Sequence, residues 1–508
     1  MVPFLTPPNK TRILQNRMRV FLLKPISFRS GSFNITLILS ALLLAGPFFF
    51  QAAAAPLSLL IKMIPEQETW FVKNIVKPFE KKYGVEVDVR HFLDYDDLED
   101  KLKADPSIDV IKVPMERAET FRERGYVAPV SAIADTPTLS AIVRDFVLPP
   151  LATGNEALYY VPRKLETRIM VYRVSKVQEA VQKYKTYLPM LDKGLRQFNG
   201  KGMPDGYALE ADPNQWDYYD VLMAGYVWAR LDSNSMNPGK VGLRGKNYPG
   251  TFLTLIDRAF QFGAIRGEIP YLHSKPVTEV FTWECIYAKF NVYNRSMFEE
   301  AWTGTDLWKA FGEEKIYLSF LTQLDCYFMI GTGENGLKGF MKTPEDVDFA
   351  VMPMAASVTG EDFMLANRNI TTGGWFWAVG RESKMKPMAL KLIMEMTSED
   401  NQKKEFEAFG VLSARKALMQ ENRDELYLKR WRNRMLQTSL RQLNLNRFTV
   451  LPTYEDMDKL QNTYYKVLFE LCTKYDRIHG LENVNSVISR FSTETMFGTD
   501  SAAPPPVP

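Results

Sequence analysis

Leu57-Ser58-Leu59-Leu60-Ile61-Lys62-Met63-Ile64 is a short apolar run, Val85-Glu86-Val87-Asp88-Val89 alternates, and Ile108-Asp109-Val110-Ile111 is strand-like, so all three read as strands. Between the first two, Glu66-Gln67-Glu68-Thr69 gives polar starts to a helix through Trp70, Phe71, Ile75, Val76, Phe79 and Tyr83, and Gly84 stops it. Between the second and third, Asp94-Tyr95-Asp96-Asp97-Leu98-Glu99 opens a helix running to Lys103 and bounded by Pro106. A further helix spans Glu116 to Arg124 and ends at Gly125. Strands alternating with helices at this spacing predict βαβ units and a parallel sheet. In such a sheet the ligand crevice lies outside the carboxyl ends of the strands. Here those ends are Pro65–Trp70, His91–Tyr95 and Lys112–Glu116, so Trp70, Asp94, Tyr95, Met115 and Glu116 are expected on one rim.

The 508 residues around this pattern are 46% hydrophobic and 24% charged, which is too apolar for a disordered chain and too balanced for one that coats nucleic acid. The net charge of +3 is unevenly placed. Residues 1–55 carry Lys10, Arg12, Arg17, Arg19, Lys24 and Arg29 with no acid, which leaves residues 56–508 at −3. An apolar run from Ile35 to Phe50 and the small residues Ala52–Ala55 follow, so a secretory signal peptide cut after Ala54 is expected, with an uncleaved anchor as the alternative. No cysteine precedes Cys285, which excludes a lipid-modified cysteine at a mature start. Export past this leader places the working protein in the periplasm.

Cys285, Cys326 and Cys472 cannot all pair, and three buried thiols are expected in preference to a bridge. His91, His273 and His479 stand alone, so neither a metal site nor a histidine triad is expected. Phosphate-binding glycine motifs are absent, and Gly331–Gly336 reads as a loop. The basic cluster Lys429–Arg434 reads as the solvated face of a helix, with no nucleic-acid partner. No cofactor is expected.

Further blocks follow in a telling order. Phe79–Val85, Asp94-Tyr95, Asp109-Val110 and Gly125–Val130 are succeeded by Tyr159–Pro162 with Tyr172, then Gln215-Trp216-Asp217. Phe328–Gly331 with Asp346–Pro353, which reads as a strand pair, comes next, then Gly373-Gly374-Trp375-Phe376-Trp377-Ala378-Val379, Thr397–Gln402 and Gly410–Arg415. Over roughly residues 57 to 470 this order resembles the family-1 extracellular solute-binding proteins, maltose-binding-protein-like components that capture carbohydrate for ABC importers.

The resemblance implies an α/β, two-lobed periplasmic binding protein fold, each lobe built on a mainly parallel sheet flanked by helices, with a ligand cleft between. It implies discontinuous lobes, 55–161 plus 374–411 and 163–372 plus 413–497, joined by crossovers near Pro162, Thr372 and Ser413, with the 498–508 tail disordered. Glu421 to Asn446 has no counterpart in the pattern and reads as extra helix on the second lobe. The implied partners are a small-molecule ligand, a sugar or oligosaccharide, and an inner-membrane ABC permease, with the protein a monomer and not an enzyme.

Sugar sites combine flat aromatic platforms with side chains that form paired hydrogen bonds. Trp70, Tyr95, Tyr160, Trp216, Trp283 and Trp375 are the platform candidates, and Asp94, Glu116, Arg163, Gln323 and Asp325 the hydrogen-bonding ones. Trp375 leads, because it follows a glycine pair at a crossover and begins a strand. Asp94 serves equally as a helix cap. Two rivals stand beside this reading: a secreted glycan hydrolase pairing Asp94 with Asp325 or Glu116 with Glu284, and a sensing subunit that signals to a membrane receptor.

Overall fold

The structure is a computed structural model that describes residues 55–231, 239–359, 367–419, 430–446, 449–450, 454 and 456–495. The leader and the Pro/Ala tail expected from the sequence lie outside the described residues. Strand β1 (Leu57–Ile61) is buried along its whole length, as its four aliphatic residues demand, with the one polar residue, Ser58, hydrogen-bonded to Asp109. It pairs in parallel with β2 (Val87–His91) and β3 (Val110–Pro114). The helix after β1 forms as α1 (Pro65–Phe71) and α2 (Lys77–Tyr83), joined by a π-helical turn at Val72–Val76. Gly84 ends α2 at φ +67°, a conformation glycine adopts without a Cβ clash. Helix α3 (Tyr95–Ala104) starts where Asp94 Oδ1 accepts the Asp97 amide at 2.9 Å.

Along the rest of the chain run β4 (Val127–Ala128), β5 (Tyr160–Glu166), β6 (Arg168–Arg173), α4 (Val174–Asn199), α5 (Tyr218–Leu231), β7 (Val241–Gly242), α6 (Pro249–Gln261), α7 (Lys275–Lys289), β8 (Leu318–Thr322) and α8 (Gln323–Ile330). They are followed by β9 (Val347–Ala350), β10 (Gly373–Gly380), α9 (Lys386–Met396), α10 (Glu399–Phe409), α11 (Trp431–Asn446) and α12 (Met457–Thr473). The first sheet has the order β2-β1-β3-β10-β4, and β5 also pairs with β10. The second has the order β9-β6-β8-β7.

Two hydrophobic cores accompany the two sheets. One gathers Leu57 to Leu165 with Phe376 to Met396, and the other gathers Ile169 to Ile370 with the α12 residues Leu460 to Cys472. The molecule is therefore the two-lobed α/β architecture expected, but its sheets are less parallel. β10 runs antiparallel to β3, β4 and β5. In the second sheet β6 is antiparallel to both β8 and β9, and only β8 with β7 is parallel. The reason is connectivity: β6 begins at the edge where β8 ends, with Arg168 opposite Thr322.

Three more expectations change. Phe328–Gly331 is not strand but the end of α8, because a capping box between Thr322 and Asp325 starts a helix there. The first crossover falls at Thr167 and not at Pro162, since β5 stays paired to β10 as far as Glu166. Helix α11 does not sit on the second lobe alone: Leu440 and Leu443 enter the smaller core while Met435 enters the larger. Cys285, Cys326 and Cys472 are free and buried. Among the described residues no helix is long and apolar enough to cross a membrane.

Candidate functional site

Antiparallel pairing brings the beginning of one strand beside the end of its partner. Trp375, near the start of β10, stands opposite Pro114 at the end of β3, and Gly373 stands opposite Glu166 at the end of β5. The carboxyl rim of the first sheet therefore carries Glu116, Glu166 and Trp375 together. On the facing lobe, Thr322 and Arg168 share the corresponding edge. Between them lies a cavity of about 120 Å³, lined by Tyr95, Glu116, Glu166, Thr167, Arg168, Leu253, Thr322, Thr371, Gly373, Gly374 and Trp375. Gly374, at φ +144°, brings the strand so close to the Lys164 carbonyl that a Cβ would meet it at 2.2 Å.

The chemistry of this cavity is aromatic and acidic. Tyr95 donates its hydroxyl to Glu116 Oε1, and the Tyr95 and Trp375 rings meet edge to face at 6.4 Å. Burial pushes the Glu116 carboxyl above its usual range, and the Tyr95 hydrogen bond opposes it. Glu166 accepts from Lys164. Burial acts upward on Glu166 too, but the Lys164 ammonium outweighs it and the carboxyl stays below its usual range. Arg168 is held by Asp257, which also accepts the Thr371 amide at 2.9 Å, so both crossover segments share one buried anion.

Under the Trp375 ring, 4.2 Å from its centroid, lies the ammonium of Lys112, which donates to the Lys62 carbonyl. This cation takes one ring face and fixes the indole plane. Burial holds Lys112 well below the ordinary lysine value; Arg163 and Lys164 push the same way, against Glu166 and Glu405. The unfolded chain then binds this proton more tightly than the folded one, so stability rises with pH across the interval between the folded and unfolded values, by about 1.4 kcal/mol for each pH unit of that interval. Lys112→Met is expected to flatten that alkaline rise in urea titrations. A pH profile identical to the parent's would show that the ammonium titrates as in water.

Of the sequence candidates, Tyr95, Glu116 and Trp375 meet in the cavity. The others are placed elsewhere. Asp94 is exposed and caps α3. Trp70 packs edge-on to Phe409 at 5.8 Å and borders a separate open groove of about 1030 Å³ with Phe406, Trp431 and Arg432. Tyr160 is core, stacked on Phe376 at 5.0 Å with its hydroxyl donated to the Ala118 carbonyl. Arg163 is buried against Glu405. Trp216 and Trp283 are fully buried, their indole N–H groups donated to the Glu210 and Ala356 carbonyls at 2.8 Å each. No ring face of either is left for a solute, because the large second-lobe core closes over them.

Gln323 is buried and grips the crossover, its amide donating to the Thr167 carbonyl at 3.1 Å. Asp325 caps α8 and accepts from Arg244 at 2.7 Å and Trp308 at 3.0 Å. Glu284 is sealed with Arg258 and Tyr293, so neither acid pair weighed for a hydrolase shares the cavity. The cavity residues that the sequence reading missed include Glu166, Thr167, Leu253, Thr322 and Thr371. Glu166 ends a strand, but its place on the rim depends on antiparallel pairing with β10, which has no local signature.

Residues 74–426 match the family model described as bacterial extracellular solute-binding protein. No curated protein matches the chain. Among solved structures, maltose-bound MalE3 of T. maritima is 16% identical with a TM-score of 0.60, covering 87% of this chain and 99% of that one. A solute-binding protein of an ABC transporter from Agrobacterium vitis, with bound D-mannitol, is 18% identical with a TM-score of 0.57, covering 86% and 96%. A counterpart from Agrobacterium radiobacter in complex with ribitol is 13% identical with a TM-score of 0.60, covering 87% and 99%. At these identities the solved structures speak for the fold, while the family match spans more than half of the sequence. The chain belongs to the bacterial extracellular solute-binding proteins.

Proposed function

We propose that this exported protein captures a sugar or polyol between its two lobes, without converting it, and delivers it to an inner-membrane ABC permease. The observation that carries the reading is the meeting of Trp375 and Tyr95 with two carboxylates, Glu116 and Glu166, at the shared rim of both lobes. A flat indole suits the C–H face of a sugar, and carboxylates suit neighbouring hydroxyls. Family membership and the sugar- and polyol-bound neighbours support it. We take Tyr95, Glu116, Glu166 and Trp375 as the ligand-binding set, in a monomer released to the periplasm by its leader.

The cavity of about 120 Å³ is smaller than an engineered core cavity of roughly 150 Å³ that takes up a single benzene, so the cleft widens to admit a sugar ring. Ligand that bridges both lobes then favours the closed state and shifts the population toward it. The test is a melting-temperature and calorimetric panel of ribitol, mannitol, tagatose, maltose and maltotetraose. Saturable binding with a raised melting temperature and no product is the expected result, strongest among the smaller solutes. Steady release of product would replace the receptor by an enzyme, and no binding by any member would remove carbohydrate as the solute class.

A further inference from the structure

We propose that Ser439, Gln442 and Asn446 on α11 are positioning residues that tie both crossover segments together and set the balance between open and closed cleft. The starting observation is a cost. Ser439, Gln442 and Asn446 are completely buried on a helix that also sends Met435 into the larger core and Leu440 and Leu443 into the smaller. Burying amides and hydroxyls is unfavourable unless each finds a partner, and the partners here are the crossovers.

Asn446 Nδ2 donates to Thr167 Oγ1 at 2.9 Å on the first crossover and to Thr372 Oγ1 at 3.4 Å on the second. Its Oδ1 accepts the Ile370 amide at 3.2 Å. One turn earlier, Gln442 accepts the Met352 amide and donates to the Arg368 carbonyl, each at 2.8 Å, and also donates to Asn446 Oδ1 at 2.8 Å. Ser439 accepts from Gln323 at 2.8 Å, and Gln323 in turn bonds the backbone of Thr167. The Thr372 amide completes the set by donating to the Thr449 carbonyl at 2.6 Å.

Geometry makes this a brace. Two of the three crossover segments pass near Thr167 and Thr372, and one amide side chain holds a hydroxyl on each. Leu440 and Leu443 anchor the same helix in the smaller core and Met435 in the larger, so rotation cannot leave all these contacts unstrained. The ladder is complete in this narrow-cleft form, and its loss favours opening. Thr167 and Thr371 also line the cavity, so the brace acts on solute affinity through the receptor reading above, although the conformational claim stands without any solute.

The experiment measures the distance between spin labels on Asp100→Cys in the smaller lobe and Lys185→Cys in the larger, in solute-free protein. Both positions are exposed and the three native cysteines are buried, so labelling is selective. Asn446→Leu is expected to raise the open-to-closed ratio by about fivefold or more, as losing one to two buried hydrogen bonds would. Ser439→Ala should shift it the same way by a smaller factor, and Leu445→Ala, exposed on the same helix, should leave it unchanged. A distance distribution identical to the parent's in folded Asn446→Leu overturns the proposal. If that variant does not fold, an unshifted Ser439→Ala overturns it instead. Failure of every sugar and polyol to bind would defeat the solute reading and leave the distance result to decide the brace.

Discussion

Trp375→Ala is expected to weaken binding of the best sugar or polyol by about thirtyfold, roughly 2 kcal/mol, as for a central aromatic anchor. The ring is half-buried, one face is covered by the Lys112 ammonium and its edge meets Tyr95, so its plane is set before any solute arrives. Such preorganisation spares the ligand the cost of ordering its platform. Trp375→Phe keeps a flat ring and should retain most of the affinity. Calorimetry is the suitable measurement, since the substitution removes a fluorophore, with circular dichroism to establish that the lobe still folds. Affinity within a factor of two of the parent's for the alanine variant would take Trp375 out of the site.

Arg163→Met should lower stability by about 3–5 kcal/mol, the range found when one partner of a buried ion pair is removed. Arg163 and Glu405 are both almost wholly buried, and Glu405 is left with the Gln67 amide at 2.9 Å once the guanidinium is gone. Adding Glu405→Leu removes the stranded charge and should recover a large part of the loss in urea denaturation. This pair also decides between two roles for Arg163. A double variant that regains stability and binds solute normally marks a structural ion pair; recovered stability with lost binding would return Arg163 to the ligand set.

Much of the fold was legible because it rests on local signals. The apolar run at Leu57 and the strand-like segments at Val87 and Val110, separated by capped amphipathic helices, fix three parallel strands wherever the rest of the chain goes. Their carboxyl ends follow, and with them Tyr95 and Glu116. Trp375 was legible from its glycine pair, since Gly374 occupies a backbone conformation and a close approach that a side chain would block.

Trp216 and Trp283 misled because a tryptophan's sequence neighbours do not show whether its ring ends in a core. Both have turn or helix settings that suit a cleft, but Trp283 packs edge-on against Tyr218 and Tyr219, and Trp216 is fully buried with its indole N–H spent on the Glu210 carbonyl. Gln323 and Asp325 misled differently: they are polar at a strand end, as a site residue would be, but their hydrogen bonds are spent within the protein.

The sequence by itself determined the βαβ frame, the family resemblance, and three residues of the proposed ligand set, Tyr95, Glu116 and Trp375, that line one cavity. Periodicity, caps and glycine placement are short-range properties and survive without knowledge of the fold. Only the tertiary structure decided that Glu166, Thr322 and Thr371 join them, that Lys112 lies under the indole, and that α11 ties the crossovers together. Each of these depends on which distant strands pair and in which direction. Antiparallel pairing of β10 with β3 and β5 turns the start of one strand and the ends of two others into a single surface.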